Sequence, residues 1–391
     1  MNRISIAAAC LLISAAASAQ QALGPGTGLV SPEINPDHSV TFRLYSPKAI
    51  TVSVTSDCLP PRAIEFERDG QKTVMELDGV AEMTQDKNGV WSYTTAPLEG
   101  ELYSYTFLVN GEKTLDPSNV YMKRDVASWV SYFTISAEEG DKGWYYEVHD
   151  TPHGTVSKQW YDSPTLGADR RLTVYTPYGY ETSKAKYPVL YLLHGGGGDE
   201  EAWTSMGRAA QILDNLIEKG LAEPMIVVMP NGNPNQQAAC TMGLPNKEMS
   251  WNDPAYQNAY VRSLCEEIVP FIEKNYRVIA KPEARAIAGL SMGGGHTITA
   301  SILYPEMFDY ICPLSAAGSA TAEQVKALKD AGVKLYFLAC GTTDFLYEGS
   351  KALDKTLTEQ GLDHIFYESD GGHVWANWRL YLNTFAPLLF K

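Results

Sequence analysis

Between residues 172 and 368 short apolar runs alternate with helical patterns, and this alternation constrains the fold more than any other feature of the chain. The runs lie at 172–176, 188–194, 225–230, 285–290, 310–314, 334–341 and 364–368. Helical periodicity occupies 208–219, 256–275, 293–304, 322–330 and 347–360. Strands made almost wholly of Val, Ile, Leu and Ala require burial on both faces, which a parallel sheet between two helical layers supplies. The expected unit is an α/β domain over residues 145–391.

The preceding hundred residues follow a different rule. Period-two alternation appears at 40–45, 50–54, 90–93 and 103–109. The turn dipeptides Asp69-Gly70, Asp78-Gly79, Asn88-Gly89 and Asn110-Gly111 separate such runs. Short alternating strands punctuated this way indicate an all-β sandwich, expected over residues 22–138. Residues 137–143, polar and glycine-bearing, are expected to form the linker.

Arg3, the apolar Ala-rich stretch 4–17 and the small-x-small tripeptide Ala17-Ser18-Ala19 have the order of a signal peptide. Cleavage after Ala19 implies a secreted or periplasmic protein with no transmembrane segment. It also removes Cys10 and leaves Cys58, Cys240, Cys265, Cys312 and Cys340, an odd number with at least one thiol unpaired. Cys312 and Cys340 sit in apolar runs and read as buried free thiols, whereas Cys240 and Cys265 are candidates for a disulfide. The formal net charge of −15 argues against a nucleic-acid partner, because an acidic surface repels phosphate backbones.

Ser291 stands in Gly289-Leu290-Ser291-Met292-Gly293, between a predicted buried strand and a predicted helix. Glycines two residues to either side permit the sharp strand-to-helix turn that presents a nucleophilic hydroxyl above a sheet edge. Such a hydroxyl needs a base, and the base an orienting acid, in the chain order Ser, acid, His. His364 and His373 lie well downstream of Ser291. His364 opens a strand pattern, whereas His373 follows Gly371-Gly372 in a loop before the last helix, so His373 is the expected base. Asp344, just past the 334–341 run, is the expected acid. Asp363 and Asp370 are local to the His373 strand, and Asp309 is at the wrong end of its strand.

A tetrahedral oxyanion needs backbone donors. The N–H of Met292 is one, and the loop His194-Gly195-Gly196-Gly197-Gly198 offers the second, assigned to Gly196 with Gly195 and Gly197 as alternatives. The loop lacks the Lys-Ser/Thr that would make it a phosphate-binding loop. His194 is expected to brace this loop and His296 to be a helix-face histidine with local partners. No His-Glu-x-x-His or zinc-spaced Cys/His cluster occurs, so neither metal nor cofactor is expected.

Together the His194–Gly198 loop, the Gly289–Gly294 motif, Cys340-Gly341-Thr342-Thr343-Asp344 and Gly371-Gly372-His373-Val374-Trp375 resemble the esterase D and feruloyl esterase family, carbohydrate esterase family 1. The stretch Ile268-Val269-Pro270-Phe271-Ile272-Glu273-Lys274-Asn275-Tyr276-Arg277 is similar to the helix before that family's nucleophile strand. The resemblance covers residues 152–391. It implies an α/β-hydrolase fold, Ser291, Asp344 and His373 as catalytic residues, and Gly196 and Met292 as the oxyanion hole. The N-terminal region, through Gly89-Val90-Trp91-Ser92, Tyr103-Ser104-Tyr105 and Asp116-Pro117-Ser118-Asn119, resembles immunoglobulin-like E-set modules of the carbohydrate-binding module 48 kind. Trp91 is expected to pack inside, and the module to be either glycan-binding or a spacer bordering the cleft. The implied activity is a feruloyl esterase acting on plant cell-wall polysaccharide esters or on a small-molecule ester. Acetylxylan esterase, acyltransferase and a non-catalytic carbohydrate-binding protein are the alternatives. Trp203 and Trp251 are candidates either for holding an aromatic acyl group or for packing.

Overall fold

Within the strand Val189–Leu193 every side chain is buried. Val189, Tyr191 and Leu193 enter one apolar cluster, while Leu190 and Leu192 enter another. A strand can feed two cores only from inside a three-layer sandwich, because successive side chains point to opposite faces. The computed structural model describes residues 28–68, 71–125, 128–239 and 258–391. The stretch 1–19 expected to be a signal peptide, Cys240 and Trp251 lie outside the described residues.

The central sheet has eight strands in the order Thr155–Ser163, Ala168–Thr176, Ile226–Pro230, Val189–Leu193, Arg285–Leu290, Tyr310–Leu314, Leu335–Gly341 and Ile365–Ser369. The first two pair antiparallel, and Ala168–Thr176 is antiparallel to Ile226–Pro230. The rest of the ladder is parallel. Helices lie between the parallel strands in sequence, and Met292–Leu303 and Trp375–Phe385 contribute to opposite clusters through Ile298 and Tyr381. Among the described residues no helix is long and apolar enough to cross a membrane.

Two expectations change in detail. The edge strand Thr155–Ser163 has no apolar run, because most of its side chains meet solvent. The helix expected over 256–275 is described from Ala259 as Ala259–Ser263, a π-helical turn Leu264–Ile268, and Val269–Asn275. Pro270 cannot donate its missing N–H and crowds the preceding turn, and a wider turn just before it relieves that crowding.

The N-terminal region is all β. One sheet joins Glu33–Ile34, Val40–Tyr45, Val90–Thr94 and Thr84–Gln85. A second joins Met122–Asp125, Ser128–Thr134, Leu102–Val109, Val52–Ser56 and Gly79–Glu82, with Glu112–Thr114 on its Leu102–Val109 strand. Val40, Phe42, Val54, Trp91, Tyr105 and Phe107 form their shared core. The Trp91 indole points inward and donates to the Ser46 carbonyl at 2.9 Å. A separate hairpin, Arg62–Arg68 with Gln71–Leu77, carries charged residues instead of a clean alternation and so escaped the pattern reading.

The polar segment 137–143 is exposed over 138–142 and anchored at both ends. Ala137 N–H donates to Glu147 Oε1 at 2.8 Å, and the 3-10 turn Lys142–Tyr146 buries Tyr146. Among the described residues Cys58, Cys265, Cys312 and Cys340 are free thiols, and the candidate pair of Cys265 with Cys240 involves a residue outside them.

Charged groups buried between the β region and the α/β region couple the two. Arg379, on the last helix, donates to Glu101 Oε1 at 3.0 Å, to Leu102 O at 3.0 Å and to Met206 O at 2.7 Å. Lys123 is 9% exposed. Its ammonium donates to Ser205 O and lies 4.4 Å from the centre of the Tyr132 ring. Desolvation, aided by Arg208 and Arg379, pulls the Lys123 pKa down to about 7. Between pH 7 and an unfolded value of ~10.4 the unfolded chain therefore holds more protons than the native one, and stability rises with pH through that window. Lys123→Met is expected to flatten the slope of Tm against pH between 7 and 10. An unchanged slope in the variant would show that the native ammonium titrates normally.

Candidate active site

The strand Arg285–Leu290 ends at Ser291, whose φ of 53° and ψ of −115° are rare for a residue with a side chain. Its N–H donates to Leu314 O at 2.9 Å and its carbonyl accepts from Gly295 N at 2.9 Å, so both neighbours enforce the turn. A Cβ on Gly293 would stand 2.6 Å from His194 O, which only glycine avoids. A Cβ on Gly195 would lie 2.5 Å from Leu290 Cδ1 and 3.2 Å from Ser291 Cβ. The glycine loop is thus pressed directly against the Ser291 turn.

Asp344 follows the strand Leu335–Gly341, and its carboxylate is fully buried. Oδ1 accepts from Leu346 N at 2.8 Å, and Oδ2 pairs with His373 Nδ1 at 2.8 Å. That contact places the Nδ1 proton toward the carboxylate and leaves Nε2 for the cavity. The His373 ring is held by Phe345, 4.5 Å away between ring centroids, and by Trp378, 4.9 Å away and edge-on at 87°. Trp378 in turn donates to Ser315 Oγ at 3.0 Å.

Ser291 and His373 line one cavity of about 580 Å³ together with Gly195 and Gly196, while Asp344 stands behind His373. Gly196 has open space where a Cβ would be. Met292 opens the helix Met292–Leu303, where a first-turn N–H lacks an intrahelical acceptor. The competing carboxylates are elsewhere. Asp363 and Asp370 are exposed, and Asp309 lies at the start of its strand, 4.0 Å from Lys334 Nζ.

The other histidines separate by their partners. His194 is buried, with Nδ1 2.7 Å from Gly195 O, and its Nε2 accepts from Gly232 N at 2.8 Å. Burial keeps its imidazole below the usual histidine range, which suits a brace for the glycine loop. His364 is held by Asp354 and Leu362 O, each at 2.8 Å. His296 departs from the expectation of local partners. Its ring packs on Tyr260 at 4.7 Å, but its buried Nδ1 has no hydrogen-bond partner among the described residues.

Trp203 is a packing residue: it is 1% exposed and donates to Leu193 O at 2.9 Å. The aromatic wall of the cavity is instead Trp375, Trp378 and, from the β region, Trp129, which is 49% exposed. Sequence reasoning missed these, along with Arg124, whose guanidinium pairs with Asp199 and donates to Gly197 O at 3.1 Å. It also missed Arg170, 1% exposed, which donates to the carbonyls of Asn231, Asn233, Pro234 and Gln236 and shapes that loop. Trp375 stands within the Gly371–Trp375 motif, but nothing in the local pattern of Arg124 or Trp129 announces a partner so distant in sequence.

Comparisons with known proteins bear on the α/β region as a whole. The family model described as "Putative esterase" matches residues 163–333. The chain is 33% identical over 315 residues to the endo-1,4-beta-xylanase/feruloyl esterase of Xylanibacter ruminicola, a match covering 79% of this chain and 41% of that protein. The chain thus spans less than half the length of that relative. A solved ferulic acid esterase superposes with a TM-score of 0.52 at 29% identity, over 60% of this chain and 97% of its own. The enterobactin esterase of Shigella flexneri is similar in fold over 90% of this chain and 92% of its own, with a TM-score of 0.62 and 17% identity. The α/β region of this chain is therefore an esterase domain of the α/β-hydrolase type, homologous to feruloyl esterases and preceded by an all-β region.

Proposed function

We propose that the protein is an exported serine esterase that cleaves feruloyl esters on plant polysaccharide. The observation that carries the chemistry is the buried Asp344–His373 pair, whose imidazole shares a cavity wall with the strained Ser291 turn. In this reading His373 Nε2 takes the Ser291 proton as Oγ attacks the ester carbonyl. The N–H groups of Met292 and Gly196 stabilise the oxyanion. Collapse of the tetrahedral intermediate breaks the bond to the leaving alcohol, which takes the proton from His373. Water then repeats the sequence on the acyl-enzyme and releases the acid. Asp344 holds the tautomer throughout.

The aromatic acyl group is favoured by the half-buried Trp375 and the exposed Trp129, whose indoles offer flat apolar surface in the cavity that Ser291 lines. Similarity to the Xylanibacter feruloyl esterase points the same way. The β region, residues 22–138, is read as an E-set module, followed by the catalytic domain 145–391. Residues 1–19 are read as the export signal.

The test is a side-by-side assay on methyl ferulate, acetylated xylan and p-nitrophenyl acetate. Preference for methyl ferulate, with release of ferulate from feruloylated arabinoxylan, is the expected result. Turnover of acetylated xylan with none of methyl ferulate would make the protein an acetylxylan esterase. Transfer of the acyl group to an added glycan in place of hydrolysis would make it an acyltransferase.

A further inference from the structure

Three loops carry the reactive groups assigned above: the glycine loop, the Thr343-Asp344 turn and the Gly372-His373 turn. Each is touched by a charged side chain of the N-terminal β region. Arg124 reaches the glycine loop through Gly197 O at 3.1 Å and through Asp199. Glu76 Oε2 accepts from Thr343 Oγ1 at 3.1 Å, one residue before Asp344. Asp125 Oδ1 accepts from Trp375 Nε1 at 3.0 Å, two residues beyond His373. Trp375 stands edge-on to Trp378 at 5.1 Å and 87°, and Trp378 stands edge-on to His373.

From these contacts we infer that the β region is a positioning element for the Asp344–His373 pair, with Glu76 and Asp125 as its positioning residues. This rests on the proposed roles of Asp344 and His373. The physical reason is leverage. The His373 imidazole is held in its plane by Phe345 and Trp378, and Trp378 by its hydrogen bond to Ser315 and by Trp375. Trp375 has one polar atom, and that atom is anchored outside the α/β domain. Removing the anchor frees the indole to rotate, and the rotation passes through two edge-on ring contacts to the base. Thr343, similarly, begins the turn whose next residue presents the acid. A hydrogen bond there limits the turn's excursions without touching the Asp344 carboxylate.

The role predicts effects on turnover rather than on small-substrate binding. p-Nitrophenyl acetate is the probe, because an acetyl ester has little surface to meet the β region. Asp125→Ala is expected to lower kcat by ~10-fold with KM nearly unchanged, since small misplacements of a general base weaken proton transfer steeply. Asp125→Asn keeps an acceptor for the Trp375 N–H and should retain near-full kcat. Trp375→Phe keeps a ring but removes the N–H, and it should match Asp125→Ala. The double variant Asp125→Ala/Trp375→Phe should be no worse than either single one. Glu76→Ala and Thr343→Val should form a second such cycle. Thermal melts accompany each variant, so a fall in kcat in a protein with native Tm reports positioning.

Unchanged kcat in Asp125→Ala and Glu76→Ala would overturn the inference. Strict additivity in both cycles would also overturn it. Loss confined to KM for feruloylated arabinoxylan would overturn it too, and would make the β region a substrate wall. Failure of the functional reading looks different: a fluorophosphonate would then leave Ser291 unlabelled in the unaltered protein.

Discussion

Ser291→Ala is expected to lower kcat on p-nitrophenyl acetate and methyl ferulate by ~10³- to ~10⁶-fold while leaving the fold and Tm intact. The magnitude follows from the geometry. Ser291 supplies the only atom that becomes covalently bonded to the acyl group in the proposed mechanism. In that mechanism Ser291 alone gives its proton to His373, so the residual rate comes from oxyanion stabilisation of direct water attack. The small size of the substitution limits structural side effects, and alanine has no larger Cβ demand at φ 53° than serine. His373→Ala should fall into the same range, and the double variant should be no worse than either single one, because the two groups act as a unit. Retention of more than about a tenth of the activity in Ser291→Ala would remove Ser291 from the mechanism, since loss of a covalent nucleophile is far larger than that.

Arg379→Met has the largest expected effect on stability, about 3–5 kcal/mol, because it leaves a buried carboxylate without its cation. The Arg379 side chain is 1% exposed and that of Glu101 9%. Arg379 also satisfies the carbonyls of Leu102 and Met206, which methionine cannot do. Burial already pushes the Glu101 carboxyl above the usual carboxylate range, against the opposing pull of Arg379. Without Arg379 that rise grows. A carboxyl whose native pKa is raised loses stability as pH increases from the unfolded value toward the native one. The deficit of Arg379→Met should therefore be smaller at pH 5 than at pH 8. Adding Glu101→Gln should recover part of the loss at pH 8, because the remaining group is neutral. Thermal melts at the two pH values measure both effects, and a deficit independent of pH would assign the loss to the two carbonyls alone.

The site was legible because its parts are local in sequence. Ser291 needs glycines close to it in the chain, and the close approach of Gly293 to His194 O explains why. His373 and Asp344 could be separated from their rivals because a triad member belongs at a strand's carboxyl end, and strand ends show in hydropathy. The aromatic wall was not legible. Trp203 and Trp375 are both tryptophans in loops or helix starts near glycines, yet one is enclosed by packing and the other borders the cavity. That difference depends on which neighbours fill the space around each, and composition carries no record of it. The edge strand Thr155–Ser163 and the hairpin Arg62–Arg68/Gln71–Leu77 were missed for a related reason: largely solvated strands have no obligation to be apolar.

By itself, then, the sequence determined the α/β architecture and the Ser291 turn, and it singled out the acid and base proposed to follow it. These follow from short-range rules, in which burial period selects the element and glycine permits the turn. Only the tertiary structure decided that the N-terminal β region closes the same cavity. It did so through Arg124, Asp125 and Glu76, which meet partners 75, 250 and 267 residues away. Contacts at such separations depend on how two surfaces far apart in the chain meet. No local periodicity encodes that meeting.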